Sequence, residues 1–211
     1  MRPDTRGYYV PARTTGIRTA YQRSCRRVDC WTTQPMANTQ KAMKELVSEI
    51  IRIAKAEVGT REVGNTNCGE RVNQYKAATW LNPEKGWPWC AAFVCWVIRE
   101  ALKSSGVKET KTFKRPRTAG AWDFENWSID QDSTTWLRNS PKNDIMAGDI
   151  VVFSFSHIGI AVSSPNAKGN VTTVEGNTDS AGSREGGGVY LKTRNVSKIR
   201  SRIRFNIPSI A

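Results

Sequence analysis

The stretch WPWCAAFVCWVIREALKSSG, residues 87–106, decides the fold. From Cys90 onward Phe93, Val94, Val97, Ile98, Ala101 and Leu102 recur at intervals of three and four, the period of an α-helix. So broad an apolar surface marks the helix as buried, and Gly106 supplies its stop. Pro83, Gly86 and Pro88 make the approach turn-rich, so Cys90 opens the helix. Upstream, Met43, Leu46, Val47, Ile50, Ile53, Ala54 and Val58 predict a helix over 41–58, stopped by Gly59. A shorter helix is expected over about 70–79, with Val72 and Tyr75 inward. Residues 107–148 read as polar and irregular, with Trp122, Trp127 and Trp136 scattered through them. After Gly148 short β-branched runs separated by Gly, Asn, Pro or Ser predict strands at 150–155, 157–163, 171–175, 189–193 and 203–207. Helices first and strands second give an α+β fold, N-terminal helices packed on an antiparallel sheet.

With 211 residues, 38% hydrophobic and 24% charged, the chain suffices for one folded domain of moderate size. No run approaches the roughly 20 apolar residues of a membrane-spanning helix. Residues 1–35 differ from the rest: Arg- and Thr-rich, without Lys, Glu, apolar periodicity or the apolar core of a secretory signal. They are expected to be a disordered basic tail or a misassigned extension, with Met36 the natural start and 36–211 a single domain. The net charge of +13 favours polyanionic partners such as nucleic acid, anionic lipid or an anionic cell wall. Lys192, Arg194, Lys198, Arg200, Arg202 and Arg204 form a late basic run with no acid among them. Five cysteines (Cys25, Cys30, Cys68, Cys90 and Cys95) are an odd set without paired CxxC spacing, and a single His accompanies them. A disulfide framework and a zinc site are both disfavoured, and a reducing compartment during synthesis is expected.

His157 starts the apolar run His-Ile-Gly-Ile-Ala-Val, sharing one strand face with Gly159 and Ala161. Small neighbours suit a base that must be approached closely, although a lone His is often merely structural. Cys90, at a helix N-terminus, would have its thiolate favoured by free N–H groups and the dipole. Cys95, inside the same helix, suits the role of a small buried hydrophobe. Glu175, at the end of Thr172-Thr173-Val174-Glu175, and Asn177 fall on one face if the strand continues. Either could accept the Nδ1–H bond of the His and orient the ring. The alternative is an ordinary charged strand end followed by a Gly-Asn turn.

Together, Pro88-Trp89-Cys90-Ala91-Ala92-Phe93-Val94, Ala147-Gly148-Asp149-Ile150-Val151-Val152-Phe153, Ser156-His157-Ile158-Gly159-Ile160-Ala161-Val162 and Val174-Glu175-Gly176-Asn177 resemble the CHAP domain. This is the cysteine, histidine-dependent amidohydrolase/peptidase family, related to NlpC-type peptidases and distantly to papain. The resemblance covers roughly residues 41–207, and Val58-Gly59-Thr60-Arg61-Glu62 resembles the leader of phage-type members. It implies a papain-like fold and hydrolysis of an amide or peptide bond in bacterial peptidoglycan, as in phage endolysins. Cys90 is then the nucleophile, His157 the base and Glu175 its orienting partner, with Asn177 assisting Glu175 or polarising the substrate. Trp87, Trp89 and Trp122 are expected to line the cleft. Asp149 is expected to be a turn device. Some members bind calcium through an acidic loop near the Cys, but residues 60–90 hold only Glu62, Glu70 and Glu84. No metal and no cofactor is expected. The implied protein is a monomer made in a host cytoplasm without a signal peptide, acting on the wall after release or delivery. Its basic surface would attract anionic wall polymers. The charge also invites a nucleic-acid-binding reading, but no helix-turn-helix, RNP-type or zinc signature supports specific recognition. A catalytically dead wall-binding module, an interbacterial toxin and a virion-associated hydrolase are further readings on the same fold.

Overall fold

The computed structural model describes residues 33–131, 134–138 and 144–205, with side chains over 41–131 and 144–205. Of the tail expected over 1–35, residues 1–32 lie outside the described residues. The first helix, α1 (Thr33–Ala56), begins ahead of the expected boundary at Met36. It is followed by α2 (Glu70–Lys76), α3 (Cys90–Ser105) and α4 (Asp123–Ile129). The strands are β1 (Thr134–Arg138), β2 (Ile150–Phe153), β3 (His157–Ala161), β4 (Asn170–Thr178), β5 (Gly188–Asn195) and β6 (Ile199–Phe205). They form one antiparallel sheet in the order β1-β6-β2-β3-β4-β5. The chain is therefore α+β with its helices N-terminal, as its periodicity implies. No helix among the described residues is long and apolar enough to cross a membrane.

Helix α3 is the centre of the molecule. Residues Cys90 to Ile98 are all buried, and the helix packs on α1, α2, β3 and β4. Gly106, at φ +71°, closes it in the left-handed conformation that glycine adopts without steric cost. Helix α1 turns Leu46, Ile50, Ile53 and Ala54 inward. From α2, Tyr75 stacks on Trp89 at 5.6 Å between ring centroids and meets Phe93 and Trp96 edge-on. The Tyr75 hydroxyl donates to Glu57, which also takes the Arg71 guanidinium. This pairing lets a mostly buried carboxylate tie the end of α1 to α2. Burying each of the large aromatic side chains contributes on the order of 2 kcal/mol.

The sheet is covered on both faces. Ile150, Val152, Ile158, Ile160, Val174 and Ile203 join the core under the helices. Val151, Phe153, Ala161, Val171 and Ile199 join a second cluster with Ile145. Two elements within 107–148 lie outside what the sequence reading anticipates. Helix α4 has seven residues, too few for periodicity to show. Strand β1 pairs at the sheet edge with β6. Strand β6 also starts at Ile199, not 203: arginines interleave its buried residues and a register shift against β2 puts Ile199 in the second cluster while Ile203 and Phe205 lie under the helices, which obscures the pattern.

Those arginines are engaged internally: Arg200 with Glu125, Arg202 with Asp144, and Arg204 with Asp149. Asp149 also accepts the Met146 N–H, which makes it the turn device expected at the start of β2. The late basic run is thus largely committed to fastening the sheet.

Helix α3 and the residue before it crowd the sheet at Gly176. A Cβ there would lie 2.7 Å from Phe93 Cβ and 2.8 Å from Trp89 Cζ3. Gly176→Ala is expected to destabilise the fold by about 1–3 kcal/mol through overpacking, read as a lowered midpoint in denaturant titration.

Candidate active site

The β2–β3 connection sets the histidine. Ser156 takes φ +59°, a left-handed turn for a residue with a side chain, and the chain re-enters the sheet at His157. Phe153 and Phe155 stack at 5.1 Å, and the imidazole lies parallel to both, at 5.9 and 5.8 Å. Two residues on, Gly159 leaves room for the neighbouring strand, since a Cβ there would sit 2.7 Å from Glu175 Cγ. That close approach brings His157 Nε2 to 3.1 Å from Glu175 Oε2, both side chains fully buried. The ring N–H is not aimed along this line, so the contact is electrostatic in character and not a well-directed hydrogen bond. It is Nε2, and not the expected Nδ1, that faces the carboxylate.

Glu175 is held from its other side. Arg194 of β5 donates from Nε to Oε1 at 2.9 Å and from Nη2 to Oε2 at 2.6 Å. The Thr173 hydroxyl donates to Oε1 at 2.6 Å. Burial alone would raise the carboxyl pKa, but the Arg194 hydrogen bonds and the charges of Arg194 and His157 outweigh it and lower the value to about 2. At His157 burial opposes the imidazolium, yet Cys90 and Glu175 together raise its pKa to about 9. Cys90, the first residue of α3 and 7% exposed, thus bears on the same ring. The structure brings Cys90, His157 and Glu175 together at the end of the sheet where α3 begins.

Asn177 takes a place that regular strand alternation does not give it. The β4–β5 register shifts between Glu175 and Thr178, and Asn177 takes φ +57°, so it does not follow Glu175 along a regular strand. Its Oδ1 accepts the Trp89 N–H at 3.0 Å, and its Nδ2 donates to Gly186 O at 2.9 Å and Asn67 Oδ1 at 3.0 Å. Asn177 therefore fastens the backbone next to Cys90. Trp89 is also corrected: it is fully buried against Tyr75 and Gly176, its Nε1 donating to Glu62, and it does not line a cleft. Trp87 and Trp122 are exposed, at 48% and 43%. Trp122 is pinned by an Nε1–H bond to Phe153 O at 3.1 Å, with Arg200 over its ring, which places it beside the strand that leads to His157. Cys95 is inert by environment: burial pushes its thiol well above the ordinary value, and Sγ donates to Thr118 O at 3.3 Å. Among the described residues no three His, Cys, Asp or Glu side chains converge so as to hold a metal ion.

Residues 82–177 match the CHAP domain family. The matched segment contains Cys90, His157, Glu175 and Asn177 and ends at the last of them. A solved structure described as a wild-type endolysin, LysIME-EF1, is similar over 77% of this chain, with 16% sequence identity and a TM-score of 0.46. The similar region spans 65% of that endolysin chain. No curated protein sequence matches this one.

The CHAP-matched segment leaves out Arg194 and the grip it has on Glu175. Sequence reading placed Arg194 in a basic run, since nothing local tells a committed arginine from a solvated one. The signal available was strand alternation: Val189 to Thr193 already reads as a strand, and its continuation carries Arg194 alongside β4.

The His157–Glu175 pair also makes stability depend on pH. His157 is raised from 6.5 to about 9, so its contribution is complete below about 6.5 and lost as pH rises through about 9. Glu175 is lowered from 4.5 to about 2, so its contribution holds above about 4.5 and is lost as pH falls through about 2. Thermal melts of wild type and His157→Gln are expected to converge between pH 6.5 and 9, and a constant gap across that window would contradict the pairing.

Proposed function

We propose that this protein is a peptidoglycan hydrolase of the CHAP type, cleaving an amide or peptide bond by cysteine nucleophilic catalysis. The observation that carries the reading is the buried succession Cys90, His157, Glu175 at the start of α3, within the segment that matches the CHAP domain. With Nε2 on Glu175, Nδ1 is the ring nitrogen left to exchange a proton with Cys90. A raised imidazole pKa keeps His157 protonated near neutral pH, ready to donate to a leaving amine.

The thiolate attacks the carbonyl carbon, and the bond to nitrogen breaks as imidazolium donates its proton to the leaving amine. Water, deprotonated by the same imidazole, then attacks the thioester, releasing the carboxylate and restoring the thiol. The first N–H groups of α3 have no partner inside the helix and are suited to the oxyanion of each tetrahedral intermediate. Glu175 stays anionic throughout and stabilises the imidazolium, and Asn177 keeps the Trp89–Cys90 backbone in place. The exposed rings of Trp87 and Trp122 offer apolar contacts for the substrate. The enzyme would act on the wall after release or delivery.

Purified peptidoglycan digested by wild type and analysed by mass spectrometry is expected to yield defined fragments, whose masses name the bond as amidase or endopeptidase. Cys90→Ala and His157→Ala should each lower turnover at least about a thousandfold, and Glu175→Gln by roughly tenfold to a hundredfold less than either. Equal activity in all of them, or no fragments from several wall types, would overturn the proposal.

A further inference from the structure

Arg194 sits outside the CHAP-matched segment, on β5, yet it makes the most extensive contact with Glu175. Every oxygen of that carboxylate is occupied. Oε1 receives Arg194 Nε and the Thr173 hydroxyl, and Oε2 receives Arg194 Nη2 and faces His157 Nε2. A planar guanidinium gripping both oxygens fixes the rotation of the carboxylate about its own axis, which a point charge does not.

Arg194 is itself immobilised. Nη1 and Nη2 both donate to Gly182 O at 3.2 Å, and a Cβ on Gly182 would lie 2.8 Å from Nη1. Its guanidinium lies over Phe153 and Phe155, at 5.5 and 5.4 Å, the two rings that also stack on His157. Base, carboxylate and guanidinium are thus referenced to one aromatic platform.

We propose that Arg194 is a positioning residue for catalysis, clamping Glu175 so that its anionic Oε2 holds the His157 imidazolium opposite Cys90. The inference rests on the reading of Cys90 and His157 as nucleophile and base. Without the guanidinium, a carboxylate in so buried a place takes up a proton, and a neutral carboxyl gives an imidazolium little support. The charged groups bearing on this chain come from four elements: Cys90 from α3, His157 from β3, Glu175 from β4 and Arg194 from β5. Lys192, also on β5, turns its ammonium to the Asp179 and Ser180 carbonyls.

The test is the pH dependence of Cys90 alkylation by iodoacetamide in the full chain, resolved by peptide mass spectrometry, which needs no substrate. Wild type, Arg194→Met, Arg194→Lys and Glu175→Gln are compared, with circular dichroism to verify folding and peptidoglycan turnover measured alongside. In Arg194→Met the midpoint of alkylation is expected to rise by about one pH unit or more, as in Glu175→Gln, because the thiolate loses its imidazolium partner. Arg194→Lys should fall between wild type and Arg194→Met, and kcat should fall with little change in KM. A folded Arg194→Met with the wild-type midpoint overturns the proposal. If Arg194→Met does not fold, Arg194→Lys decides: a midpoint raised above wild type toward that of Glu175→Gln upholds the clamp, and wild-type midpoint and turnover overturn it. A different result, unchanged peptidoglycan turnover in Cys90→Ala, would instead strike the Cys–His reading itself.

Discussion

A carboxylate with no exposure to solvent governs this molecule. Glu175 stays charged inside the sheet only because Arg194 grips both its oxygens and His157 stands against one of them. An unpaired charge in such a place would cost several kcal/mol, so the partners have to arrive together when the fold closes. That requirement reaches outward. Strands β3, β4 and β5 must be in register for His157, Glu175 and Arg194 to meet. The β2–β3 turn must present Phe153 and Phe155 as the surface on which both cations lie.

Small residues set the distances. Gly159 lets Glu175 lean across β3, and Gly176 lets α3 settle on β4 with Trp89 and Phe93 in contact. Asn177 then joins the strand end to the helix start by accepting the Trp89 N–H, so the backbone that carries the thiol and the strand that carries the carboxylate are a single mechanical unit. The connection from β4 to β5 touches both ends of the site: Gly186 receives Asn177, and Gly182 receives Arg194. Site geometry and fold stability draw on the same contacts here, and substitutions in that connection would be felt at Cys90 and at His157.

Much of this was legible in the sequence where chemistry or periodicity is local. Helix α3 and the place of Cys90 at its head follow from apolar spacing and the turn before it. His157 and Glu175 follow from strand alternation and residue type. Legibility failed where the deciding contact is distant in sequence. Arg194 looked like part of a charged surface because its partner lies nineteen residues away across a strand pair. Asn177 looked like a companion to Glu175 because regular alternation does not foresee the irregularity that turns it toward Trp89. Trp89 looked like a cleft residue because apolar rings next to a nucleophile read alike whether they face the substrate or the core. Helix α4 and the edge strand β1 were too short to leave a periodic trace.

The central claim is that His157 is held as a buried imidazolium between a carboxylate and a thiol. Because the chain contains one His, an NMR titration of the imidazole in untagged protein reads that group without ambiguity. The account predicts a ring that remains protonated through neutral pH and titrates at about 9. Titration at or below the ordinary value of about 6.5 would contradict it, since burial would then have prevailed over the Glu175 and Cys90 contacts.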